Sequence, residues 1–152
     1  MKLFRVLGAA ALAVVAAVGV AQPASAAVTW KFQAVNQSNC LDGYATHASG
    51  DIYHTGCNGG AFQNFRWSGS FGSQTQLVSN QSNLCAVREG DTAGLVACNG
   101  SPAQVWVISG SSSRLSIRNQ ISGLCLQRVG TTNVRLRTCD SSNVYQQWLR
   151  RS

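Results

Sequence analysis

Asn119-Gln120-Ile121-Ser122-Gly123-Leu124-Cys125 opens a segment that runs through Cys139 to Gln146-Gln147-Trp148. The same order occurs twice upstream. Asn80-Gln81-Ser82-Asn83-Leu84-Cys85 leads through Cys98 to Gln104-Val105-Trp106, and Asn36-Gln37-Ser38-Asn39-Cys40 leads through Cys57 to Gln63-Asn64-Phe65. The opening asparagines stand 44 and then 39 residues apart. Self-similarity at such a period marks a repeat architecture, in which one unit cannot bury its own apolar face and needs its neighbours. The copies span about 28–70, 71–110 and 111–152.

The six cysteines fall two to a copy, enclosing 16, 12 and 13 residues. Six cysteines allow about 15 pairings. The repeat favours the simplest, one bridge inside each copy: Cys40–Cys57, Cys85–Cys98 and Cys125–Cys139. Closing loops of this size contributes about 3 kcal/mol each in the chain-entropy model.

The local pattern is β. Val134-Arg135-Leu136-Arg137-Thr138 and Arg114-Leu115-Ser116-Ile117-Arg118 alternate apolar and polar residues, the period of a half-buried strand. Trp106 shares a face with Ile108, and Phe65 with Trp67. Clusters such as Asn58-Gly59-Gly60 and Ser109-Gly110-Ser111 punctuate the strands as turns. Many short strands at regular spacing make a sandwich or a barrel, and threefold repetition selects an all-β ring of three pseudo-symmetric copies. Phe65, Trp106 and Trp148 then point to a shared centre as core residues, each burying roughly 150–250 Å².

Upstream of the repeats, Lys2 and Arg5 precede an uncharged apolar run from Val6 to Ala21, followed by Ala24-Ser25-Ala26. This order reads as a secretory signal peptide over residues 1–26, cleaved after Ala26, with one domain over 27–152. The apolar run is shorter than the ~18–20 residues a membrane span needs, and stable membrane insertion is not expected. Paired cysteines agree with a secreted, extracellular destination. The formal net charge is +7, and charged residues make up 11% of the chain. Neutral polar side chains therefore supply most of the surface.

In-register cysteines, Cys40-Leu41-Asp42 and a threefold Gln-x-aromatic resemble the ricin B-type lectin family across nearly all of the chain after the leader. The resemblance implies a β-trefoil of twelve strands, with up to three shallow sugar sites for a glycan or cell-wall polysaccharide. It also implies the residues of a site: an Asp two places after the first cysteine, an aromatic two places before the second, and an Asn beside the Gln of Gln-x-Trp. The Asp accepts sugar hydroxyls, and the ring packs on the apolar face of the pyranose.

Only the first copy approaches this set. It holds Asp42 and Gln63, but has Thr55 at the aromatic place and Phe62 at the Asn place, so Tyr53, His54, Tyr44 and His47 are candidate replacement rings. Asp42-Gly43 is equally a good turn dipeptide. The second copy has Val87, Val96 and Ala103, and the third has Gln127, Arg137 and Tyr145. Both lack the sugar set.

Charge suggests another use for the third copy. From Ser111 onward seven arginines face one acid, Asp140. Arg114, Arg118, Arg128, Arg135 and Arg137 read as a basic surface, able to meet an acidic polymer or protein partner or simply to stay solvated. This gives a second reading, a degenerate trefoil acting as a protein-interaction, toxin-component or inhibitor domain. Nucleic acid is not expected, because no reading motif accompanies the charge. Catalysis is not expected either. Gly-x-Ser-x-Gly and His-Glu-x-x-His are absent, no cofactor motif occurs, and His54-x-x-Cys57 competes with the disulfide for its cysteine.

Overall fold

The computed structural model describes residues 28–45 and 51–152. Residues 1–26, expected from the sequence to be a leader, and His47 lie outside the described residues. The first copy contributes β1 (Thr29–Ala34), β2 (Asn39–Gly43), β3 (Ile52–Gly56) and β4 (Phe65–Arg66). The second adds β5 (Gln74–Gln76), β6 (Val78–Ser79), β7 (Cys85–Glu89), β8 (Thr92–Val96) and β9 (Val105–Ser111). The third adds β10 (Arg114–Asn119), β11 (Leu124–Val129), β12 (Asn133–Thr138) and β13 (Trp148–Arg151).

Thirteen strands appear among the described residues, where the resemblance implies twelve. The extra one arises at Leu77, which is fully buried and divides one strand in two: β5 pairs with β9, while β6 pairs with β4. With this strand counted once, antiparallel pairings run β1–β4–β6/β5–β9–β10–β13 and back to β1, closing a barrel. The hairpins β2–β3, β7–β8 and β11–β12 cap one end. The architecture is the all-β trefoil expected from the repeat.

Each copy is closed by its own disulfide, Cys40–Cys57, Cys85–Cys98 and Cys125–Cys139. Phe65, Trp106 and Trp148 are completely buried in one core with Phe32, Ile108 and Leu115. At about 25 cal/mol per Å² of apolar surface, three large aromatics are a major part of what holds the barrel. The two indoles also satisfy their N–H groups: Trp106 Nε1 donates to the Ala86 carbonyl at 2.8 Å and Trp148 Nε1 to that of Leu126 at 3.5 Å. These acceptors are equivalent, each following the opening cysteine of its copy.

The three cap hairpins lock cyclically. The Leu95 amide donates to Asp51 Oδ2 at 2.9 Å, the Leu136 amide to the Asp91 carbonyl at 2.7 Å, and the His54 amide to the Thr132 carbonyl at 2.8 Å. His54, Leu95 and Leu136 each stand three residues before the closing cysteine. His54 therefore occupies a position that is core leucine in the other two copies.

Candidate functional site

The glutamine of Gln-x-aromatic is a structural clip. In the first copy, the Asn58 amide donates to Gln63 Oε1 at 3.0 Å and Gln63 Nε2 donates to the Gly56 carbonyl at 3.0 Å. Gln104 repeats this with Asn99 and Ala97, and Gln146 with Asp140 and Thr138. Each glutamine bridges the chain on both sides of the closing cysteine and sits under a short 3₁₀ turn (61–63, 102–104, 144–146). Gln63 is completely buried, with both amide atoms engaged. Both atoms that it would offer to a sugar are spent on the backbone.

Strand alternation sorts the remaining first-copy candidates. On the β2–β3 hairpin Asp42 lies opposite Tyr53, and Leu41 opposite His54. Because side chains alternate faces, Tyr53 joins Asp42 and His54 joins the core face. The Tyr53 hydroxyl donates to Asp42, and the Tyr53 pKa is pushed up to about 12, first by burial, then by that hydrogen bond and the neighbouring charge of Asp42. Asp42 is 3% exposed, and its Oδ1 is buried with no hydrogen-bond partner among the described residues. Burying an acceptor without a donor costs about 1–3 kcal/mol.

Two residues after Asp42, Tyr44 stands edge to face with Phe62, with ring centroids 5.0 Å apart and planes at 76°. Both are exposed, Tyr44 by 45% and Phe62 by 37%. Phe62 was read only as a lost asparagine. The signal that finds it is its place just before the clip glutamine, a place Tyr145 shares in the third copy with 53% exposure.

His54 is 2% exposed and turned away from this corner, so it is no replacement ring there. Asn39 Nδ2 donates to its Nδ1 at 3.0 Å, which puts the imidazole proton on Nε2, an atom buried with no partner among the described residues. Burial, with the charge of Arg128 adding to it, holds its pKa below the ordinary value of 6.5. Cys57 is committed to the disulfide, which removes the His54-x-x-Cys57 pair as a zinc candidate. Among the described residues no group of three His, Cys, Asp or Glu side chains is placed to hold a metal.

The family model of the ricin-type beta-trefoil lectin domain matches residues 28–148. The chain belongs to the ricin-type β-trefoil lectin family. Three solved structures illustrate the fold. A designed threefold-symmetric protein, ThreeFoil, is 18% identical with a TM-score of 0.70, over 82% of this chain and 98% of its own. The Haemophilus ducreyi cytolethal distending toxin is 17% identical with a TM-score of 0.67, over 85% and 86%. The Polyporus squamosus lectin, solved with the epitope Neu5Aca2-6Galb1-4GlcNAc, is 14% identical with a TM-score of 0.68, over 80% and 48%. No curated protein matches the chain.

At the equivalent places in the other two copies this lectin domain carries different side chains. In the second copy they are apolar, Val87 and Val96. In the third copy Gln127 stands at the Asp place, and its Oε1 accepts from Asn143 Nδ2 at 3.2 Å and Gln146 Nε2 at 3.0 Å. Arg137, at the aromatic place, forms an ion pair with Asp91 at 3.0 Å.

The arginine surface of the lectin is smaller than its sequence implies. Arg128 is 4% exposed and is not part of it. Its guanidinium donates to Gln37 Oε1 and to the Val144 carbonyl at 2.7 Å, and lies over the rings of Tyr145 and Trp148 at 5.5 and 5.8 Å. Carbonyl acceptors and ring faces replace water, so the charge is buried as a strut between the first and third copies. Arg150 sits 4.2 Å above the Trp30 ring at the barrel mouth, and Arg151 donates to Gln33. Arg114, Arg118 and Arg135 remain at the surface, all exposed or half-buried.

Proposed function

We propose that this domain acts outside the cell as a carbohydrate-binding module with one family-type site, in the first copy. Asp42 accepts hydroxyl groups of a neutral sugar, Tyr53 fixes the carboxyl group, and the Tyr44–Phe62 corner packs on the apolar face of the pyranose. The observation that carries this reading is Asp42 Oδ1, a buried acceptor with no partner among the described residues. In the third copy the same place is filled by Gln127, whose acceptor is fully used. A protein surface meant only for stability gains nothing from leaving Asp42 unsatisfied. The signal-peptide pattern and the three disulfides support an oxidising, extracellular setting, where a glycan or cell-wall polysaccharide is the available partner.

A glycan array read with the wild type and with Asp42→Ala tests the proposal. Binding of a neutral glycan that disappears in Asp42→Ala and weakens in Phe62→Ala is expected. Absence of any bound glycan, or binding indifferent to Asp42, removes the reading.

A further inference from the structure

Threefold symmetry fails most clearly where β9 and β10 meet the third disulfide loop. β9 runs for 7 residues, whereas its counterpart β4 has 2. The chain from Cys139 to Trp148 is one residue longer than from Cys57 to Phe65 or from Cys98 to Trp106. Between these two departures lies a half-open pocket of about 350 Å³. The Asp, aromatic and Asn places of the family set do not line it.

The floor of the pocket is the outer wall of the barrel. Ile108 and Ile117 turn inward and are fully buried, so their neighbours Ser109 and Ser116 face out, directly opposite one another across the strands. Neither hydroxyl has a partner among the described residues. Gly110 lines the floor where the two strands approach closely: its φ is +118°, and a Cβ there would meet the Arg114 carbonyl oxygen at 2.3 Å. The Cys125–Cys139 bridge forms one side.

Two charges line the pocket. Arg114 is exposed, and its guanidinium has no hydrogen bond or ion pair among the described residues. Asp140 comes from the loop, where its Oδ1 accepts from the Ser142 amide at 2.8 Å and hydroxyl at 2.7 Å. Those bonds hold its carboxyl below the ordinary value of 3.8, so it is charged.

From this arrangement we infer a second binding site, for a carboxylated sugar residue of the uronic-acid type. A free guanidinium suits a carboxylate, which it can hold by two parallel hydrogen bonds. Ser109 and Ser116 supply donors and acceptors for ring hydroxyls. The fixed negative charge of Asp140 disfavours dianions such as phosphate and selects a ligand with a single carboxylate. The volume matches the lower end of the ~300–1,000 Å³ of small-ligand sites, enough for one ring. The site owes nothing to Asp42.

The test is an amide-shift titration of the labelled protein with sodium glucuronate, with glucose and inorganic phosphate as comparisons. Glucuronate should move the amides of Gly110, Ser116 and Ser141, and glucose should not. Arg114→Gln, at an exposed position, should keep the folded spectrum and weaken glucuronate by about tenfold or more, the loss of one charge-assisted pair. Asp42→Ala should bind glucuronate as the wild type does. The inference is overturned if these amides stay still, if Arg114→Gln binds equally, if glucose acts like glucuronate, or if phosphate displaces glucuronate at equal concentration.

Discussion

Asp42 in the first copy and Gln127 in the third occupy one place in the repeat, two residues after the opening cysteine, and meet opposite fates. Gln127 is tied to Asn143 and Gln146, and its neighbour Arg137 to Asp91. Asp42 keeps a buried oxygen unpartnered among the described residues. The backbone is shared, because disulfide, clip glutamine and inward aromatic recur in both copies. A repeat frame and the atoms at one repeat position are thus separable: the frame survives in every copy, while at this position an acceptor without a partner among the described residues is found at Asp42 and not at Gln127.

The comparison breaks most visibly through the shared frame. Phe65→Ala and Trp148→Ala should each lower stability by about 3–5 kcal/mol in chemical denaturation, as large cavities in one core do. Next come the clips: Gln63→Ala and Gln146→Ala should each lower stability by about 1–3 kcal/mol through stranded backbone groups. A Gln63→Ala variant that kept full stability and lost only glycan binding would restore Gln63 to the site.

The contrast sharpens at the paired position. Gln127→Leu should lower stability by about 1–3 kcal/mol, since it strands Asn143 and Gln146. Asp42→Asn should be neutral or stabilising by the same denaturation measurement, because the acidic oxygen it replaces has no donor to lose.

The pH effect near neutrality comes from His54 in the first copy. His54 is held below 6.5 when folded, so at low pH the unfolded chain binds a proton that the folded chain resists. The stability contributed by neutral His54 is whole above about pH 6.5 and is lost as pH falls below it, at up to about 1.4 kcal/mol per pH unit. His54→Leu, matching Leu95 and Leu136, should flatten the melting temperature between pH 7 and 5 and raise it at pH 5. The smallest effect is expected at the exposed ion pair: Arg137→Ser should leave the unfolding midpoint unchanged.

Much of this was legible in the chain. Order and spacing of cysteines and Gln-x-aromatic were enough for a threefold all-β ring and its bridges, the family resemblance added the trefoil, and Asp42 stood out as the one acid at a family position. The clip role of Gln63 was also legible, because Gln104 and Gln146 persist in copies that have lost every other sugar residue. So was the burial of His54, which aligns with two leucines. Arg128 was not legible. Its counterparts, three residues after the opening cysteine, are Gly43 and Arg88, which fix no common environment.

The sequence by itself determined the threefold frame, because each copy carries its own bridge, clip and inward aromatic within about 40 residues. Only the tertiary structure decided which polar atoms stay available. Arg128 finds Gln37 across 91 positions, and Arg137 finds Asp91 across 46. Whether a buried charge is satisfied depends on donors and acceptors that folding brings from other copies, and no local pattern encodes that distance.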